Sequence, residues 1–500
     1  MSGPAGRPPL PAGTRLELDP SVRPLAGGSV LAGGHPGRLL RLTPEGVAAT
    51  ATLVGAGAAT DAERRLGRQL VDAGMAHPVP GVVAGGAAGR VTVVLPVRDR
   101  ADLLEEALGA LGTATPVVVV DDGSAEPGPV AEASRRHGAR LVRRPTSGGP
   151  SAARNDGVAG VATELVAFVD SDCVPPAGWL DRLVGLFDDP ALGAVGPRIR
   201  PVAADRSTVA RYGQARSPLD LGPAGSLVGP GRLVRYLPTA ALVVRAAALA
   251  DAAPGGDPPF DPALRFGEDV DLVWRVLAAG WQVRYEPTVV VRHHEPTGWA
   301  GLLRRRYRYG TSAAPLSRRH PGRLAPVELR PWPTAAAAAA LAGHPAVAAG
   351  LTVAAGTVLA RRVRGVGIPA PTAMRWSAQG TGWTVVGLGR ATTVLAWPAL
   401  AVAIAAPGAG RGRRRLRLAA AALAVVPPAV EWWQRRPALD PVRWALASMV
   451  DDAAYGTGVW AGCLRERVAG PLLPTLRWGE ATDDDPTAVP GMGGADPDPV

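Results

Sequence analysis

Lysine is missing from this 500-residue chain. All 54 basic side chains are arginines, set against 43 acids for a formal charge of +11. Cysteine is nearly missing too: two residues exclude a disulfide-stapled secreted scaffold and a multi-cysteine zinc or iron–sulfur protein. Phe, Trp and Tyr make up only 5% of the chain, so the interleaved stacking surface of a single-strand nucleic-acid binder is absent. A pI near 10.8 would otherwise invite nucleic acid or an anionic membrane as partner. The opening MSGPAGRPPLPAG has no apolar run behind its arginine, so no cleaved secretory signal is expected. What is abundant is apolar residue, at 47%, which excludes global disorder, together with 63 Gly and 51 Pro of the kind GC-rich coding produces. The informative feature is therefore where the arginines and acids sit.

Residues 1–12 read as a disordered Pro/Gly tail. From 13 to 82 the chain has its own punctuation: short strands in LELDPSVRPLAGGSVLAGG, a strand running into a helix in LLRLTPEGVAATATLV, and an amphipathic helix in ERRLGRQLVDAGM with Leu66, Leu70 and Val71 on one face. Residues 81–90 form a linker. Between about 88 and 312 strands and helices alternate. VTVVLPV (91–97), PVVVVD (116–121) and ELVAFVD (164–170) are continuous apolar runs, as in strands covered on both faces, and ADLLEEALGAL between the first two is helical. That rhythm predicts an α/β doubly wound sheet. From 313 to 475 the composition turns to Ala-rich, nearly uncharged runs (333–360, 391–406 and 418–430) flanked by arginine clusters. These are expected to be membrane-associated helices, with a buried soluble helical domain as the alternative. Residues 476–500 form an acidic tail expected to be disordered.

Ligands of open α/β sheets bind at the carboxyl ends of the strands. Three strand ends finish in acid-bearing turns here: LPVRDR (95–100), VVDDGS (119–124) and FVDSDC (168–173). Alternation along a strand aims Asp170 and Asp172 the same way. Two carboxylates aimed together repel, and a divalent cation, Mg2+ or Mn2+ by the oxygen chemistry, would neutralise them. An isolated Asp-x-Asp or Asp-Asp-Gly-Ser is ordinary turn chemistry. The order is what carries information: strand, DDGS, SGGPSAARNDG (147–157), DSD, then FGEDVDLVWR (266–275).

That order resembles the family-2 glycosyltransferases of the GT-A fold, over roughly residues 90–300. The resemblance implies that Pro96 and Asp99 lie beside the nucleotide base, that Asp122 holds base or ribose, and that Arg154 helps fix the nucleotide. It places Asp170 against ribose and metal, and makes Asp172 a metal ligand. Asp269 matches the general base of the family's Glu-Asp motif, while Glu268 and Asp271 have the rival reading of helix-opening acids favoured by the dipole. A His after the following strand completes the metal site in that family, with His293 the first choice and His294 the alternative. One base without a second placed nucleophile implies inversion.

Along the whole chain, the N-terminal unit, GEDVDLVWRVLAAGWQVRYEP, LLRRRYRYGTSAAPLSRRHPGRLAP and DDAAYGTGVWAGCLRERVAGPLLP together resemble the mycofactocin-system glycosyltransferases. The implied substrates are a nucleotide-sugar donor, UDP-glucose, and a peptide-derived mycofactocin precursor that receives β-1,4-linked glucose. The implied location is the cell membrane, with the catalytic domain on its cytoplasmic face. The N-terminal unit is similar to small PqqD-like winged-helix domains that bind peptide precursors. RRRYRYG (304–310) has two readings, a phosphate-pairing segment or a basic flank meeting membrane lipid. The alternatives are a membrane polysaccharide or lipid-phosphate glycosyltransferase, although the Gln-x-x-Arg-Trp string of processive synthases is missing, and a non-catalytic peptide-binding membrane scaffold. No nucleic-acid partner is expected.

Overall fold

The computed structural model describes residues 7–81, 85–202, 206–408 and 410–477. The chain divides into two compact units, one of Met1–Pro20, Ala48–Ala203 and Ser217–Glu295, the other of Ser21–Val47, Ala204–Arg216 and Pro296–Val500.

The first unit is built on a nine-stranded sheet. Four strands are parallel neighbours: Arg140–Arg144, Val117–Asp122, Val91–Val97 and Leu165–Val169. Their Val-rich runs are buried on both faces, with Val91, Val93, Val94 and Leu95 wholly buried. The Ala101–Leu111 helix lays Leu104, Ala107 and Leu108 into that core. Beyond Leu165–Val169 the α/β sheet expected from the sequence becomes mixed. Ala241–Arg245 joins antiparallel to Leu165–Val169, and Leu192–Pro201 joins antiparallel to Ala241–Arg245. Two reversals restore the direction, so Leu192–Pro201 and its parallel partner Gln282–His293 run the same way as the first four strands. The reason lies in connection length. Three residues separate Val169 from Cys173–Val174, and the helices that precede the two antiparallel joins, Trp179–Val184 and Thr208–Ala215, have only six and eight residues, short of a full crossover. As a result Val97, Asp122, Val169 and His293 all end at one edge.

The N-terminal segment departs from the sequence expectation in two ways. Pro8–Pro11 is not a free tail: Leu10 is wholly buried, its amide donates to Arg64 O, and Arg68 Nε donates to Pro8 O. Gly67 makes room for this contact, since a Cβ there would sit 2.8 Å from Leu10 Cδ1. Residues 1–6 lie outside the described residues. The 13–82 stretch also does not stay in one unit. Leu16–Leu18 pairs antiparallel with Ala76–Pro78 beside the Asp61–Asp72 helix in the first unit, whereas the antiparallel strands Arg23–Leu25, Val30–Gly33 and Arg38–Arg41 belong to the second. Ala32 of that sheet is buried with Val363, Ile368, Ala373 and Trp376.

The rest of the second unit is helical. Pro331–Leu341, Pro345–Val363, Ala370–Leu395, Trp397–Ala405 and Arg411–Arg435 cover the three Ala-rich runs. Pro345–Val363 and Arg411–Arg435 are long and apolar enough to cross a membrane, and Ala370–Leu395 with Trp397–Ala405, bent by 97° at their junction, pass together. Trp299–Arg319 and Pro441–Glu466 pack so closely that a Cβ on Gly310 would lie 2.1 Å from Tyr455 O, and one on Gly458 2.0 Å from Tyr307 O. A charge network ties these two helices to Arg216 and to the Ala370–Leu395 and Arg411–Arg435 helices. Arg216 meets Asp451 and Asp452, Arg306 Nε meets Asp451 at 2.8 Å, and Glu431 takes Arg390 and Arg435. Thr475–Leu476 pairs with Glu328–Leu329, and residues 478–500 of the acidic tail expected from 476 lie outside the described residues.

Candidate active site

The edge where the parallel strands end gathers the acid-bearing turns, and the helix Pro150–Val158 ties them to the Glu-Asp segment. Ser151, Arg154 and Asn155 share one face of that helix through their three- and four-residue spacing. Ser151 Oγ donates to Leu264 O, and Asn155 exchanges hydrogen bonds with both backbone groups of Phe260. Arg154 is the central clamp. It is 3% exposed, and its two terminal nitrogens go to Asp170 Oδ1 at 2.6 Å and Glu268 Oε1 at 2.8 Å. Burial opposes its charge, but the two carboxylates outweigh that and hold its pKa above the ordinary arginine value. Its guanidinium also lies 5.7 Å from the Phe260 ring centre.

Asp122 is buried, and its oxygens already accept from Ser147 Oγ and the Gly148 and Gly149 amides, with Arg144 Nε at 2.9 Å. In this structure it staples the 147–149 turn. Gly123 permits the close approach: its φ is +72°, and a Cβ would meet Ser147 N at 2.6 Å. Pro96 lies in the first strand, half-buried at its end. Asp99, at φ +54°, accepts from the Ala125 amide at 2.7 Å while its own amide donates to Ser124 Oγ. The first and second acid-bearing turns are thereby locked together.

At the third turn His293 pairs in register with Cys173. Its Nε2 stands 3.5 Å from Asp172 Oδ1, and its Nδ1 3.5 Å from Glu295 Oε1. His294 instead turns its Nε2 to Glu106 Oε2 at 2.9 Å, as strand alternation requires. Of the two histidines, His293 is thus the one that faces Asp172. Burial raises the Asp172 pKa, His293 lowers it, and the nearby Asp170 raises it further. No group of three or more His, Cys, Asp or Glu side chains is gathered for a metal ion among the described residues. One carboxylate and one imidazole facing each other fit a cation that takes its remaining ligands from phosphate, the usual manner for Mg2+.

Glycine 267, at φ +79°, opens the Glu268–Ala278 helix. Glu268 is thereby buried against Arg154, a role the sequence pattern left open between capping and function. Asp271 is wholly buried and accepts from Arg275 Nε within the helix. Asp269 is different. Burial, and then the neighbouring Glu268 charge, push its carboxyl up to about 7. Such a group exchanges a proton near neutral pH. Sequence reasoning missed Glu268 as the clamp's second partner, and missed Arg143 and Arg144, which hold Asp121 and Asp122. The signal was in RLVRR, whose two consecutive arginines close an edge strand in register with the acids of VVDDGS.

Paired acids and arginines thus gather at the carboxyl edge of this α/β sheet, and comparison with known proteins gives the family. The model of glycosyl transferase family 2 matches residues 92–248, and the sheet is a GT-A-like one. A pre-mycofactocin glycosyltransferase from Mycobacterium tuberculosis is 37% identical over 486 residues, covering 94% of this chain and 99% of that one. The chain belongs to the pre-mycofactocin glycosyltransferases of family 2. Glycosyltransferase AglE of Haloferax volcanii is 25% identical over 44% of this chain and 71% of its own. Among solved structures, a mannosyltransferase from Pyrobaculum calidifontis in complex with GDP-mannose and Mn2+ matches 69% of this chain and 88% of its own, with 19% identity and a TM-score of 0.37.

Proposed function

We propose that this glycosyltransferase moves glucose, with inversion, from UDP-glucose to a peptide-derived mycofactocin precursor and extends it as a β-1,4-linked chain. The observation that carries the reading is the half-buried Asp269, with its carboxyl near 7, on the same clamp of Arg154, Glu268 and Asp170 that borders Asp172 and His293. The whole-length likeness to a relative named for pre-mycofactocin supports the acceptor.

In this reading the first two turns, with Pro96, Asp99 and the Asp122-stapled 147–149 loop, bind the nucleoside. Asp170 orients the ribose, itself held by Arg154. Asp172 and His293 would hold Mg2+ or Mn2+, which when bound supplies positive charge to the leaving diphosphate. Asp269 accepts the proton of the attacking acceptor hydroxyl. The hydroxyl oxygen then forms the new bond to the anomeric carbon as the bond to the diphosphate breaks on the opposite face. Glu268 keeps the Asp269 proton affinity high enough for that transfer.

Residues 13–82, although divided between the two compact units, are assigned, on their likeness to PqqD-like domains, to presenting the peptide-derived acceptor. The Ala-rich helices are assigned to the membrane, with the catalytic unit at the cytoplasmic face. Val347, Val353, Val402, Leu418 and Trp433 on these helices are exposed, which suits lipid contact. The test is incubation of the purified protein with UDP-glucose, Mg2+ or Mn2+ and the mycofactocin precursor, read by mass spectrometry. A ladder of hexose additions that disappears with Asp269→Asn supports the reading, and an unmodified precursor with active protein overturns it.

A further inference from the structure

The strand Gln282–His293 ends at the candidate active site, and its other end opens on a cavity of about 480 Å3. Arg284 and His293 are nine positions apart, up to ~30 Å along an extended strand. No residue assigned above to the donor site lines this cavity. Apolar and polar groups share its walls, the apolar part including Leu10, Val71, Val79, Leu186, Leu192 and Leu227.

The charged groups along the wall are unequal. Asp189 is engaged by Arg68 Nη2 at 2.6 Å and by the Ala191 amide at 3.0 Å. Gln282 accepts from Arg68 and donates to Asp72. Asp188 is 61% exposed and faces Arg90 at 3.6 Å, and Arg15 is exposed at the rim. Arg284 stands apart. It is 2% exposed, yet among the described residues its guanidinium makes one hydrogen bond, from Nη2 to Pro78 O at 3.5 Å. Its Nε is buried without a hydrogen-bond partner, and the nearest carboxylate oxygen, Glu286 Oε2, is 3.7 Å away. The other oxygen of Glu286 is taken by Thr288 Oγ1 at 2.7 Å. A guanidinium has five donors in a planar fork that matches a carboxylate. Burying one this poorly served costs free energy unless something else completes it.

We propose that this cavity is a second ligand site, which seats the carboxylate of an otherwise apolar molecule on Arg284. The chemistry fits the C-terminal residue of a peptide or a small organic acid equally. A phosphate fits poorly, because its second negative charge would stand beside Glu286 while the buried Arg68 next to the wall is already taken by Asp189. The cavity shares residues 13–15, 55–56, 71 and 78–81 with the N-terminal segment assigned above to the acceptor, but the observation it rests on, the buried and poorly partnered Arg284, does not depend on that assignment.

Isothermal titration calorimetry on the full chain tests it, with N-acetyl-Leu-Val as the free acid, the same dipeptide as its C-terminal amide, isovalerate and inorganic phosphate as probes. The free acid is expected to bind at least about tenfold more tightly than the amide. Arg284→Gln should erase that difference, and Val79→Trp, which leaves the guanidinium in place and fills the cavity, should abolish binding of the acid. Binding of isovalerate as well as the dipeptide acid assigns the site to small organic acids, and binding of the dipeptide acid alone assigns it to a peptide terminus. Equal binding of acid and amide, tighter binding of phosphate, or no binding of either acid at millimolar concentration overturns the proposal. The acid–amide comparison uses the unaltered protein, so it decides the matter even if a variant fails to fold.

Discussion

A base with its pKa near neutrality leaves a specific mark on the rate. With the Asp269 carboxyl at about 7, roughly half of the enzyme holds an ionised base at pH 7 and about one-tenth at pH 6. The value of kcat/KM for transfer should therefore fall about tenfold per pH unit below 7 and level off above it. An ordinary aspartate would keep the rate flat to below pH 5. Burial is the larger cause of the shift and the Glu268 charge the next. Glu268→Gln should then move the acid limb to lower pH while keeping a polar partner for Arg154 Nη1. The same shift has a stability consequence. The folded carboxyl holds its proton to a higher pH than the unfolded one, so its contribution favours folding at low pH and is lost as pH rises from about 4 to 7. Asp269→Asn, which cannot ionise, should consequently raise Tm at pH 8 and leave it unchanged near pH 4. The assay is hexose transfer from UDP-glucose between pH 5.5 and 8.5 in parallel with thermal unfolding. A flat profile to pH 5.5, or an acid limb unmoved by Glu268→Gln, would refute the placement of the base or of its neighbour's charge.

Other outcomes follow from the same geometry. Asp172→Ala and His293→Ala should each abolish metal-stimulated transfer, whereas His294→Ala, which loses only an exposed pair with Glu106, should retain it; titration of activity with Mn2+ distinguishes them. Asp122→Ala strands the Gly148 and Gly149 amides and should raise the donor KM while lowering stability by about 2–3 kcal/mol, measured by denaturant unfolding. Gly157→Ala puts a Cβ 2.3 Å from Val94 Cγ1 and should cost about 1–3 kcal/mol with little effect on KM. Asp451→Ala leaves Arg216 and Arg306 buried without their shared acid and should destabilise the helical unit by roughly 3–5 kcal/mol, seen as a lower melting point in detergent.

Much of the site was legible because strand ends and turn chemistry are written locally. The apolar runs 91–97 and 164–170 became parallel strands, and the acids after them arrived at one edge. Alternation also decided between the histidines once Cys173 was paired with His293. What the pattern could not carry was who pairs with whom across distance. Asp122 has the same local context whether its oxygens meet a nucleotide or the amides of Gly148 and Gly149. Glu268 looks like a helix-opening acid until Arg154, 114 residues earlier, is brought against it. The antiparallel half of the sheet was hidden because the helices leading into it, Trp179–Val184 and Thr208–Ala215, are too short to show a clear period. Pro8–Pro11 read as a tail since a single Leu10 gives no periodicity, although Gly67 leaves it a socket.

The glycine-faced contact between Trp299–Arg319 and Pro441–Glu466 bears on how the chain is made. Arg306 and Asp451, which meet in it, are 145 residues apart in sequence. Everything between them, including every candidate membrane span, is threaded and synthesised before the two helices can meet. Until then the buried Arg306 of the first helix lacks Asp451, and at ribosomal speeds of ~5–20 residues per second that interval lasts roughly 7–30 s. The last helix is thus a clasp on a finished loop, so a chain that stops short of it should be recognised by the cell as incomplete, however well its sheet has folded.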